Sequence, residues 1–106
     1  MKTWFESFWN LHGKWSEATF GTARDHTGPL SYLRREIDEI AKNPDDIEEF
    51  ADAFMLILDS ARRAGHNFDD FKDACYSKLI DNIEREWPDT PDKDGVFEHI
   101  KKKKES

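Results

Sequence analysis

One cysteine, five glycines and four prolines in 106 residues leave this chain short of several kinds of site, and each scarcity closes a class of explanation. Cys75 has no partner for an internal disulfide and is expected to be a reduced thiol buried on a helix. No Cys/His set exists to hold zinc. No glycine-rich loop ends in Lys-Ser or Lys-Thr, which excludes a P-loop nucleotidase. The longest apolar run, Ala53 to Leu58, falls far short of the about 20 residues that cross a bilayer. The opening Met1-Lys2-Thr3-Trp4-Phe5-Glu6 meets an acid early and precedes no cleavage-site pattern, so it does not read as a secretory signal. A cytoplasmic protein with no membrane partner is expected. Basic residues are also outnumbered: 16 Lys and Arg against 23 Asp and Glu leave a formal charge of −7. That charge opposes nucleic-acid binding, which depends on neutralising phosphates, so no nucleic-acid partner is expected.

What is present is helical periodicity. A first helix is expected from Thr3 to about Phe20, rich in Trp and Phe, with Gly13 as a candidate interruption. Gly28-Pro29 opens a second, whose Leu30, Leu33, Ile37 and Ile40 form one buried stripe. Asn43 is placed to cap a third, with Pro44 at its first position, running to Ala64 before Gly65. Asn67 caps a fourth, with Phe68, Phe71, Cys75, Leu79 and Ile83 as its apolar line, stopping at Trp87-Pro88. No strand pattern competes, and the expected fold is an all-α four-helix bundle over residues 1–88. Residues 89–106 are expected to form a C-terminal loop, a short helical piece from Val96 to Ile100, and a frayed basic tail at Lys101–Lys104.

The acids carry the chemistry. Glu36-Ile37-Asp38-Glu39 and Glu49-Phe50-Ala51-Asp52 both read E-x-x-[ED], and residues three apart share a helix face. Glu36, Glu39, Glu49 and Asp52 fall at the border of the apolar stripes, and antiparallel packing brings all four acids together. Like charges gathered this way repel and take up protons unless something positive sits among them. A hard divalent cation answers that need, because Mg²⁺ binds carboxylates and keeps positions for substrate phosphates. The same spacing also suits exposed flank acids paired with Arg34, Arg35, Arg62 or Arg63. On the fourth helix Lys78, Asn82 and Arg85 lie on one face, a row able to grip phosphate oxygens. Surface pairs of Lys78 and Arg85 with nearby acids account for the same row. His12, His26, His66 and His99 are scattered, none three residues after a glutamate, which argues against a di-iron bundle and leaves each expected at the surface.

Taken together, E-x-x-E, then E-x-x-D on the next helix, then K-x-x-x-N with a downstream Arg, resembles the MazG-like all-α NTP pyrophosphohydrolases over about Thr19 to Pro88. Thr19-Phe20-Gly21, Gly28-Pro29-Leu30, Ala61-Arg62-Arg63-Ala64-Gly65 and Trp87-Pro88 are similar to the dATP/dGTP diphosphohydrolase branch often carried by phages, which includes the MazZ enzymes. The resemblance implies Mg²⁺ or Mn²⁺ on Glu36, Glu39, Glu49 and Asp52, with Glu48 assisting and Glu36 or Glu39 acting on the attacking water. It implies phosphate contacts from Lys78, Asn82 and Arg85. Trp15 and Phe20 offer a stacking surface for a base, and Tyr32 stands where this branch often has histidine. The implied reaction converts a purine (d)NTP, dGTP first and dATP next, to the monophosphate and pyrophosphate in a homodimer or homotetramer, within the host cytoplasm if a phage encodes it. A non-catalytic helical interaction module, or a house-cleaning hydrolase for another nucleotide, remain the rival readings.

Overall fold

The computed structural model describes residues 1–101, and among these the chain forms four helices and no strand. They are α1 (Trp4–Phe20), α2 (Thr27–Lys42), α3 (Ile47–Arg63) and α4 (Phe68–Glu84). The all-α architecture is the expected one. Two compact units make up the chain, Met1–Phe71 and a second that starts at Lys72.

In the first unit α3 packs against both α2 and α1. Leu58 at its centre has no exposed surface, and Trp9 of α1 is buried. Rings fill the other end: Phe5 meets Phe68 edge-on at 5.1 Å between centroids, and Trp9 lies 5.5 Å from Phe71. Offset and edge-on contacts of this kind add to the area that the rings bury. α1 runs unbroken through Gly13. A Cβ there would sit 3.1 Å from Arg62 Cδ and Nε, so the glycine admits the arginine stem rather than ending the helix.

Helix starts follow local side-chain chemistry. Thr3 caps α1 by accepting from Glu6 N–H, and Asn67 caps α4 by accepting from Asp70 N–H at 2.8 Å. α3 begins later than expected. Asn43 serves the preceding helix, its N–H donating to Glu39 O at 2.9 Å, so Asp46 caps α3 through Glu48 N–H at 3.0 Å. Pro44 therefore lies in the turn. The α2 stripe is also rotated from expectation: Glu36 is 7% exposed and Ile37 56%. A carboxylate thus occupies the inward position that periodicity reserved for isoleucine.

The second unit holds the rest of α4 and the segment after it. α4 ends at Glu84, before Trp87-Pro88, and Trp87 Nε1 donates to Asn82 O at 2.7 Å. Cys75 is exposed, not buried, because no residue of α4 is buried in the single chain. Val96–Ile100 is not helical. Asp92 Oδ1 accepts from the N–H groups of Asp94 and Val96, closing a turn through Gly95 at φ 79°, and Ile100 N–H donates to Glu86 O at 2.8 Å. These bonds commit the backbone donors to a loop. Beyond Lys101, the expected basic tail lies outside the described residues.

Candidate active site

α2 and α3 bring Glu36, Glu49 and Asp52 together. One carboxylate oxygen from each lies within 4.8 Å of the others, with Glu36 buried, Glu49 half-buried and Asp52 exposed. Glu39, one turn beyond Glu36, is exposed and outside this trio. Glu48 is exposed as well.

The trio has no basic partner among the described residues. Arg62 and Arg63, which flank acids were expected to attract, both turn to Asp59, at 3.5 and 3.0 Å. Repulsion is consequently left inside the cluster. A hydrogen bond to Glu36 is the largest cause holding the Glu49 carboxyl up at about 7, with burial and the charges of Glu36, Asp46 and Asp52 adding to it. A proton on Glu49 gives it a donor toward Glu36; with both ionised, Glu36 Oε2 is a buried oxygen with no hydrogen-bond partner. Buried oxygens are rarely left so, since an unmatched one costs about 1–3 kcal/mol. Three carboxylates, one with an orphaned oxygen, form a donor set that suits a hard cation.

Asp52 also lines a cavity of about 330 Å³ within the first unit, a volume in the range of small-molecule sites. Trp15 and Phe20 of α1 and Tyr32 of α2 wall it, all three half-exposed and so available to a ligand. Trp15 and Phe20 meet edge-on at 5.4 Å, and the Arg24 guanidinium sits 5.0 Å over the Phe20 ring.

Behind this cavity lies a buried polar network that the sequence reading missed. Asp59 Oδ1 accepts from the Ser16 hydroxyl at 2.7 Å, and Oδ2 from Arg63 Nε at 3.0 Å. Arg63 Nη1 donates to the carbonyls of Gly21 and Arg24 at 2.9 and 3.0 Å, which ties the α1–α2 loop to α3. Arg62 donates to Trp9 O and to His12 Nδ1. Burial pushes the Asp59 carboxyl up, yet hydrogen bonds from Ser16 and Arg63 and the nearby guanidinium charges hold it below the usual aspartate value. His12 is buried rather than at the surface; burial first and the Arg62 charge next hold its pKa below 6.5. One sequence signal was available: Asp59 stands seven residues after Asp52, two turns further along one face of α3.

Lys78, Asn82 and Arg85 belong to the second unit. Lys78 is exposed, while Asn82 and Arg85 are half-buried and joined by Arg85 Nη1 donating to Asn82 Oδ1 at 3.0 Å.

With four helices and an acid trio beside an aromatic cavity in view, comparison with known proteins decides the family. The dATP/dGTP pyrophosphohydrolase family model matches residues 8–106. The chain belongs to this family. Among solved structures, a cyanophage S-2L MazG-like pyrophosphohydrolase, bound to dGDP and three catalytic Mn²⁺ ions per active site, superposes with a TM-score of 0.76. It is 26% identical, over 94% of this chain and 100% of that one. The dATP/dGTP pyrophosphohydrolase family chain is also 38% identical over 98 residues to the Eaa protein of Salmonella phage P22. That match takes in 90% of this chain but only 29% of the phage protein's length.

Proposed function

We propose that the protein is a metal-dependent hydrolase that cleaves a purine deoxynucleoside triphosphate, dGTP first and dATP next, to the monophosphate and pyrophosphate. The observation that carries this is the acid trio with no basic partner and an orphaned Glu36 oxygen, sharing Asp52 with the aromatic cavity. Family membership and the Mn²⁺-bound, dGDP-bound neighbour support it.

Glu36, Glu49 and Asp52 would hold Mg²⁺ or Mn²⁺, with Glu39 and Glu48 close by in sequence. When bound, such cations neutralise triphosphate charge and make water a better nucleophile at neutral pH. Glu39, outside the trio, or Glu36 orients the attacking water and takes its proton. The water oxygen bonds to the α-phosphorus, the bond to the α–β bridging oxygen breaks, and pyrophosphate leaves with that electron pair. Lys78, Asn82 and Arg85 hold phosphate oxygens in line. Trp15, Phe20 and Tyr32 stack on the base, a contact worth about 1–3 kcal/mol per base.

Homodimeric or homotetrameric assembly is part of this reading. Trp4 and Leu11 of α1, each 71% exposed, and Ile83 of α4 at 72% leave large apolar side chains for a second copy to cover. Light scattering should give a multiple of 12.5 kDa; a mass that stays at 12.5 kDa at all concentrations contradicts assembly.

Chromatographic product analysis of each canonical dNTP and NTP with Mg²⁺ or Mn²⁺ tests the activity. Purine monophosphate and pyrophosphate in equal amounts are expected. Orthophosphate with a nucleoside diphosphate, or no turnover, contradicts it.

A further inference from the structure

A purine seated between Trp15, Phe20 and Tyr32 shows one edge to the cavity's polar wall, and that wall is unequal in donors and acceptors. His12, Ser16 and Asp59 form it. The Ser16 hydroxyl is already committed, donating to Asp59 Oδ1 and accepting from Arg63 Nη2 at 2.8 Å. His12 Nδ1 faces the Arg62 guanidinium, which can only donate, so Nδ1 must accept. The neutral ring then carries its hydrogen on Nε2, as a donor, and burial beside Arg62 favours that neutral form. Asp59 is an acceptor with roughly four lone-pair sites. Ser16, Arg63 and Arg62 approach it, which leaves one site over.

We propose that His12 and Asp59 read the edge of the purine in this cavity, with a donor from His12 and an acceptor from Asp59, and so select guanine over adenine. Guanine offers the complement, an acceptor at O6 beside donors at N1 and the 2-amino group. Adenine reverses two of these, with an amino donor at C6 and an acceptor at N1. Its edge would leave the His12 donor facing a donor and the Asp59 oxygen facing a lone pair. A site that presents committed polar groups rejects a base that cannot match them, because those groups stay unpaired. Of the remaining polar lining, Asp52 belongs to the acid trio, and the other two groups do not discriminate. The Tyr32 hydroxyl both donates and accepts, and Arg24, stacked on Phe20, supplies donors that suit N7 of either purine.

This inference rests on the proposed function for its substrate, so its test reads binding as well as turnover. Rates are compared for dGTP, dITP, dATP and 2-amino-dATP, and affinities for dGDP and dADP, all with Mn²⁺. Both dGTP and dITP, which share O6 and the N1 hydrogen, are expected to exceed dATP and 2-amino-dATP by about a hundredfold in kcat/KM, with dGDP bound correspondingly better than dADP. His12 lies between Phe8 and Trp15, with centroids 6.1 and 5.8 Å away, so His12→Phe preserves the stack. That variant is expected to lose at least about tenfold of the guanine preference. Equal rates and affinities for the two bases, or a preference for adenine, overturn the inference and leave hydrolysis standing. Selective binding of dGDP without hydrolysis supports it and overturns the proposed function. Failure to bind either diphosphate overturns both.

Discussion

Glu36→Gln is expected to lower turnover on the order of a thousandfold while leaving the helices in place. The glutamine keeps the shape of the side chain but removes the buried charge at the centre of the trio, and with it the strongest claim on a cation. Metal-ion catalysis supplies several kcal/mol of charge stabilisation, and about 4 kcal/mol corresponds to three powers of ten in rate. The variant also separates a metal ligand from a structural residue. Without metal it should melt no lower than the wild type, because one repelling carboxylate is gone and the amide can donate to Glu49. In wild type, Mn²⁺ should raise the melting temperature by mass action; in Glu36→Gln that rise should vanish. Turnover within about tenfold of wild type, together with an undiminished Mn²⁺ shift, contradicts the assignment.

The largest effect on stability is expected at Arg63, far in sequence from the acids. Arg63→Met removes the bond to Asp59, the bond to Ser16 and both carbonyl contacts that hold the α1–α2 loop. Asp59 is then a buried carboxylate with Ser16 and the more distant Arg62 as its remaining partners. Stripping one member from a buried pair costs about 3–5 kcal/mol, a large share of the about 5–15 kcal/mol that holds a domain together. The melting temperature should fall by about 15 °C or more. Arg63→Lys keeps the charge but not the fork of donors and should lie between the two. A change under about 2 °C in Arg63→Met would show that the network contributes little.

Local chemistry made most helix positions legible in advance, and tertiary packing explains where expectation and structure part. The caps at Thr3 and Asn67 depend only on their own turns. Asn43 had two turns to serve, and the sequence does not say that it closes α2 rather than opening α3. Hydrophobic spacing placed Ile37 inward and Glu36 at the border, because periodicity weighs side chains by polarity alone. A buried carboxylate reverses that rule, and reversals of this kind concentrate at functional sites. Gly13 looked like a break since the arginine stem it admits lies 49 residues further along the chain. Asp59 passed unremarked for the same reason: Ser16 lies 43 positions away, and only the fold makes the pair visible. Helix spacing grouped Glu36, Glu49 and Asp52 with Glu39, which the structure leaves outside the trio. Trp15 and Phe20 stood out in the aromatic-rich first helix, while Tyr32 came from the family resemblance; that all three rings wall one cavity with Asp52 is visible only in the fold.

Anomalous X-ray scattering from crystals soaked in Mn²⁺ tests the central claim most directly. Peaks bonded to carboxylate oxygens of Glu36, Glu49 and Asp52 are the expected result, and they should be absent from crystals of Glu36→Gln. No anomalous density at the trio, or density only at other acids, would contradict a divalent-cation site there and with it the hydrolytic mechanism.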